Sequence, residues 1–140
     1  MSFLLDTSVI SELVRKSPHR PVLDWISAQE ETSLYLSVIT IGELEKGIAR
    51  LPASPRKSKL QAWVQRDLVE RFGERLLPAD IRVATRWGVL TGESEKRGEP
   101  LPVIDSLIAA TALVQGFAIV TRNVKDFKRC GVACVNPWDQ

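Results

Sequence analysis

The stretch Phe3-Leu4-Leu5-Asp6-Thr7-Ser8-Val9-Ile10-Ser11-Glu12 runs an apolar triplet straight into a carboxylate, then into apolar residues at helical spacing that continue through Leu13 and Val14. The triplet reads as a strand, and Val9, Ile10, Leu13 and Val14 as the buried face of a helix. A strand that turns into a helix at an acid opens a β-α unit, and in sheets of such units ligands bind beyond the carboxyl ends of the strands. Asp6 stands at that point. A structural role competes for it, because Asp, Thr and Ser all suit the first position of a helix. Capping needs only one of the three, so the meaning of Asp6 turns on whether other acids arrive at the same edge.

The alternation continues along the chain. Pro21 opens a short helix with Val22, Trp25 and Ile26 on one face, and Leu34-Tyr35-Leu36 is a second strand. Ser37 then begins a helix whose Val38, Ile41, Leu44 and Ile48 share a face. Ser54 caps, and Pro55 opens, a long helix ending near Gly73 with Leu60, Trp63, Val64 and Leu68 as its buried stripe. Arg75-Leu76-Leu77 is a weak third strand, followed by a helix that Asp80 caps and that turns Val83, Ala84 and Trp87 inward. The stiff connection Gly98 to Pro102 leads into a helix carrying Val103, Ile104, Leu107 and Ile108 and stopped by Gly116. Phe117 to Thr121 is the clearest strand, apolar throughout as buried parallel strands are, and Val132 to Val135 is the last. These elements predict an α/β fold in three layers, a parallel sheet of about five strands flanked by helices, built as one domain over residues 1–140.

At 140 residues and 44% hydrophobic, the chain suits one domain that buries its own core without staples. Its 19 Lys and Arg against 17 Asp and Glu give a net charge of +2, compatible with a nucleic-acid partner without specifying one. Cys130 and Cys134 match neither a redox C-x-x-C nor a zinc-ligand pair, and read as reduced, buried residues of a cytoplasmic protein. The apolar start is too short for a signal peptide. The run Leu107 to Val120, interrupted by Thr111, Gln115 and Gly116, is too short to cross a bilayer, so no membrane role is expected. His19, the only histidine, lies in a Pro-flanked loop without an orienting partner, which argues against a histidine-based hydrolase.

Four further residues gather around Asp6 in the expected topology. Glu43 lies shortly after strand two, Asp105 before strand four, and Asn123 and Asp126 after strand four. Each has a structural reading: Thr40-Ile41-Gly42-Glu43 fits a capping box, Asp105 in the first turn of its helix gains from the helix dipole, and Asp126 suits a turn cap. Carboxylates forced together repel unless they are protonated or bridged by a cation. Oxygen-only ligands select hard ions such as Mg²⁺ or Mn²⁺, and such a site suits phosphodiester hydrolysis. The expectation is that Asp6, Glu43 and Asp105 come within reach of a shared ion at the carboxyl edge of the sheet.

The segments Leu5-Asp6-Thr7-Ser8-x-x-Ser11-Glu12, Ser37-Val38-Ile39-Thr40-x-Gly42-Glu43-Leu44-x-x-Gly47-Ile48, Asp105-x-x-Ile108-Ala109-Ala110-Thr111-Ala112 and Val120-Thr121-Arg122-Asn123-x-x-Asp126-Phe127 together resemble the PIN-domain ribonuclease toxins of the VapC type. The Asn136-Pro137-Trp138 ending resembles the FitB-like branch. The resemblance spans essentially the whole chain, and four motifs in order carry it where one would not. It implies a toxin of a type II toxin-antitoxin system that cleaves RNA with Mg²⁺ held by Asp6, Glu43 and Asp105. The fourth position is usually acidic. Here Asn123 comes first and Asp126 one helical turn later, and Ser8 stands where many relatives have Asn. The resemblance also implies a homodimer, a cognate VapB-like antitoxin and a complex of the two on promoter DNA. With Trp25, Trp63, Trp87 and Trp138 in one short chain, at least one is expected in such an interface.

Two other classes are open to the sequence. One is a metal-dependent phosphotransfer domain. A haloacid-dehalogenase phosphatase would need a second Asp where Ser8 stands, and a receiver domain would need a phosphoacceptor and Lys layout that is not evident. The other is a catalytically inactive PIN-like module acting through protein or nucleic-acid binding.

Overall fold

The structure is a computed structural model and describes residues 1–139. Five short strands, β1 (Phe3–Leu5), β2 (Leu34–Ser37), β3 (Leu76–Leu77), β4 (Ala118–Val120) and β5 (Cys134–Val135), form one sheet in the order β3-β2-β1-β4-β5. Every neighbouring pair is parallel. The two central strands pair Phe3, Leu4 and Leu5 with Ala118, Ile119 and Val120. The expected α/β parallel sheet is therefore present, and the carboxyl ends of β1, β2 and β4 lie side by side.

Alternation along the strands builds the three layers. Phe3, Leu5, Leu34, Leu36, Ala118 and Val120 face one core, while Leu4 and Ile119 face the other, as the two-residue period of a strand requires. The first core is covered by α1 (Thr7–Leu13), α2 (Arg20–Ser27) and the helical run after Pro55. The second is covered by α7 (Val103–Gln115), through Ile108, Ala109 and Ala112, and by α8 (Val124–Lys128), through Phe127. Between them in sequence come α3 (Val38–Ala49) and α6 (Ile81–Lys96), the latter packed on α7. The small residues Ala109, Ala110 and Ala112 are fully buried, so α7 lies close against β1 and β4 and its first turn, with Asp105, reaches the sheet edge.

Ser54 caps and Pro55 opens the long helix as expected. It is not uniform: α4 (Pro55–Ala62) passes into a π-helical stretch, Trp63–Leu68, before α5 (Val69–Phe72). Gly73 ends that run at φ +48° and Gly116 ends α7 at φ +74°, the left-handed backbone that glycine adopts without a Cβ clash. Asp80 caps α6 by accepting from the Val83 N–H at 3.1 Å. The third, fourth and fifth strands are shorter than the apolar runs that mark them, because Arg75 lies in a 3₁₀ turn and pairing reaches only as far as the two-residue edge strands. Cys130 is buried and Cys134 half-buried, both free thiols. All four tryptophans are half-buried, Trp25 edge-on to Phe3 at 5.0 Å. Among the described residues no helix is long and apolar enough to cross a membrane.

Candidate active site

Asp6 follows β1 and occupies the N-cap position of α1, but its side chain caps nothing. Its backbone N–H donates to the Val120 carbonyl at 2.9 Å, fixing the residue beside the end of β4. The carboxylate is 3% exposed, and its Oδ2 accepts from Ser8 Oγ at 2.9 Å and from Thr121 Oγ1 at 2.8 Å. Those hydroxyls also hold the loop after β4. Thr121 Oγ1 accepts from the Asn123 N–H at 2.9 Å, and Ser8 Oγ accepts from the Arg122 N–H at 3.3 Å. A buried carboxylate needs such donors.

Glu43 does not belong to a capping box. Ser37 caps α3, its hydroxyl accepting from the Ile39 N–H at 3.0 Å. This leaves Glu43 in the second turn, beyond the helix's unpaired N–H groups. Its Oε1 instead accepts from Thr7 Oγ1 at the start of α1. Thr7 and Thr121 are the orienting residues that the sequence reading passed over.

Asp105 lies in the first turn of α7 and is half-buried. That turn is anchored from α6, whose Trp87 Nε1–H donates to Ser106 Oγ at 2.9 Å. Burial pushes the Asp105 carboxyl up from 3.8 to about 6, and the negative charges of Asp6, Asp126 and Glu43 add to the push. Those four carboxylates therefore share one electrostatic environment. Asn123 is exposed at the N-cap position of α8 and makes no side-chain cap, while Asp126, one turn on, is half-buried. Of the two, Asp126 is the one whose charge bears on Asp105.

Among the described residues no three His, Cys, Asp or Glu side chains stand close enough to hold one ion as they are placed. The hydrogen bonds explain the spread: Glu43 is drawn toward Thr7 and Asp6 toward Ser8 and Thr121. The donor set nonetheless suits a hard divalent cation. It is all oxygen, it mixes carboxylates with hydroxyls, and its surplus negative charge adds to burial in lifting Asp105.

His19 is exposed at the start of α2, where its backbone is engaged, the N–H donating to Glu12 Oε1 at 2.8 Å and the carbonyl accepting from the Val22 N–H at 3.1 Å. Glu12 itself is buried and paired with Arg15 at 3.0 Å.

The PIN domain family matches residues 3–132. The chain is 40% identical, over 97% of its length and 98% of the relative's, to the plasmid stability protein StbB of Pseudomonas syringae pv. tomato. It is 38% identical, over 97% of both chains, to the VapC ribonuclease Y4jK of Sinorhizobium fredii. Among solved structures it superposes on a chain of FitAB bound to an IR36 DNA fragment with a TM-score of 0.90 at 33% identity, covering 97% of this chain and 95% of that one.

Proposed function

The chain belongs to the PIN-domain family, alongside VapC ribonucleases, and on that premise we propose that it is the Mg²⁺-dependent endoribonuclease toxin of a type II toxin-antitoxin pair. One observation carries the reading: the negative charges of Asp6, Glu43 and Asp126 bear on the carboxyl of Asp105 at the carboxyl edge of the sheet. Asp6, Glu43 and Asp105 would hold the ion, with Mn²⁺ as a substitute, and Asn123 or Asp126 would complete the set. When bound, the cation supplies an activated water and neutralises charge on the departing oxygen.

The chain's own residues prepare that chemistry. Ser8 and Thr121 hydrogen-bond to Asp6, and Thr7 to Glu43. The turn of α7 that carries Asp105 is anchored by the Trp87–Ser106 hydrogen bond. Because hydroxyls and not cations hold these acids, a divalent ion has no internal counter-charge to displace.

The partners follow from the same kinship. A FitAB complex has been solved on DNA. By that likeness this chain is a single cytoplasmic domain over residues 1–140 that dimerises, is held by a VapB-like antitoxin, and joins it on promoter DNA.

The test is RNA cleavage by the purified chain with Mg²⁺ and with chelator, beside the Asp105→Asn variant. Cleavage that needs the metal and disappears in the variant supports the proposal. Full activity of the variant at saturating Mg²⁺ would remove Asp105 from the site. A chain that neither binds Mg²⁺ nor cuts RNA is instead the inactive binding module, a reading that the spread of the acids as they stand also fits.

A further inference from the structure

Glu43 does not stand alone on its face of α3. Lys46, Gly47 and Arg50 follow at helix positions three, four and seven, and all four line one hollow of about 480 Å³ whose floor is Val38, Ile39 and Ile104. The helix rises about 1.5 Å per residue, which sets Lys46 about 4.5 Å and Arg50 about 10 Å beyond Glu43 along the axis. One end of the hollow is thus an acid of the proposed metal site, and the other is two long cationic side chains. Gly47, between them, presents no side chain.

Those two cations are distinguished by place: they are the Lys and Arg side chains that line the hollow with Glu43, and among the described residues neither is tied to a partner. Arg15, Arg20, Arg66, Arg71, Arg75 and Arg82 are in ion pairs. On the other flank of the acid cluster, the Arg122 guanidinium lies 5.6 Å from the centre of the Trp138 ring. Among the described residues Lys46 and Arg50 have neither an ion pair nor a side-chain hydrogen bond, and both are exposed. Lys57, which lies nearby in sequence, is engaged with the carbonyls of Ala49 and Leu51.

We propose that the hollow along α3 from Glu43 to Arg50 is the track for the RNA strand beside the acid cluster, with Lys46 and Arg50 holding successive phosphates on one side of the scissile bond. This rests on the ribonuclease reading. The charge complementarity is specific: a polyanion that must approach four carboxylates needs compensating cations within a nucleotide or two of them. The exposed apolar floor of Val38 and Ile104 offers the ribose or base a dry surface, a common arrangement in sites that grip single strands through the backbone.

The experiment measures how the affinity for a short single-stranded oligoribonucleotide depends on salt, using the full chain carrying Asp105→Asn in Mg²⁺ so that the probe stays intact. Replacing two phosphate contacts in the Lys46→Gln/Arg50→Gln double variant should reduce the slope of log affinity against log salt by about 1.4, since each contact to a single strand contributes about 0.7. Lys46→Arg/Arg50→Lys should keep the parent slope. In the otherwise unmutated chain the glutamine pair should raise KM and leave kcat unchanged, the signature of lost uniform binding. An unchanged slope in the glutamine pair, with RNA still bound and cut by the parent, overturns the track alone. Absence of RNA binding or cleavage in the parent overturns the ribonuclease reading and the track with it. A change in sedimentation instead of RNA affinity would assign the hollow to a second copy of the chain and also refute the track.

Discussion

Asp105→Asn should stabilise the metal-free protein, and by an amount that depends on pH. The carboxyl titrates near 6 in the fold against an ordinary 3.8, through burial and the charges of Asp6, Asp126 and Glu43. The folded state therefore binds this proton more tightly than the unfolded chain does. Stability is at its fullest below 3.8, falls as pH rises between about 4 and 6, and stays low above that. The gap between 3.8 and about 6 corresponds to about 3 kcal/mol at 1.36 kcal/mol per pH unit. Asp105 is only half-buried, so solvent screening brings the expected penalty to about 1–2 kcal/mol. Asn carries no charge to desolvate and keeps the side chain's shape. For a chain of this size, 1–2 kcal/mol moves the unfolding midpoint by about 3–8 °C. The assay is thermal unfolding of both proteins in chelator from pH 4 to pH 7.5. The advantage of the variant should be near zero at pH 4 and reach its plateau near pH 7. Saturating Mg²⁺ should then raise the midpoint of the parent and leave that of the variant nearly still, because a ligand stabilises only the state that binds it. A midpoint difference that is flat across this range, or an Asn variant that is less stable at pH 7, would refute the argument that these acids share one field.

Thr121→Val keeps the shape but removes the donor to Asp6 and the acceptor for the Asn123 N–H; denaturant unfolding should show a loss of about 1–3 kcal/mol, and Thr121→Ser should restore most of it. Glu12→Ala should cost about 1–3 kcal/mol by orphaning the His19 N–H, the exposed Arg15 being left to solvent; an unchanged unfolding midpoint would count against a structural Glu12. Asp126→Asn should weaken Mg²⁺ binding, read by calorimetry, more than Asn123→Ala does, because Asp126 and not Asn123 bears on Asp105; the reverse order would make Asn123 the fourth ligand.

The positions of Asp6, Glu43 and Asp105 were legible because they depend on periodicity. Apolar alternation locates the ends of β1 and β2, and the 3.6-residue pattern puts Asp105 in the first turn of α7. The orientation of the acids was not legible. Thr7 reaches Glu43 across 36 positions and Thr121 reaches Asp6 across 115, and nothing local in the sequence marks a threonine for such a contact. Glu43 was open to misreading as a capping residue because Thr40 and Glu43 have the right spacing, but the sheet ends at Ser37 and that residue is the first able to cap. The π-helical turns at Trp63–Leu68 escape for a related reason. A single extra residue in a helical turn leaves the apolar stripe almost unchanged, and Val64 and Leu68 are buried here just as an unbroken α-helix would have them.

The same hydrogen bonds bear on how the edge of the sheet accommodates its acids. Each of Asp6 and Glu43 meets a threonine hydroxyl, which satisfies lone pairs without adding positive charge. An arginine in either place would have stabilised the empty site through a charge pair and would then have competed with any incoming cation. Hydroxyls relieve desolvation but leave the repulsion standing, and that repulsion adds to burial in raising the pKa of Asp105. The exposed cations at Lys46 and Arg50 lie farther along α3, where they can meet a polyanion without neutralising the acids first. Negative charge at the edge of the sheet and positive charge displaced along one helix is the separation that the proposed metal site and the proposed RNA track would require.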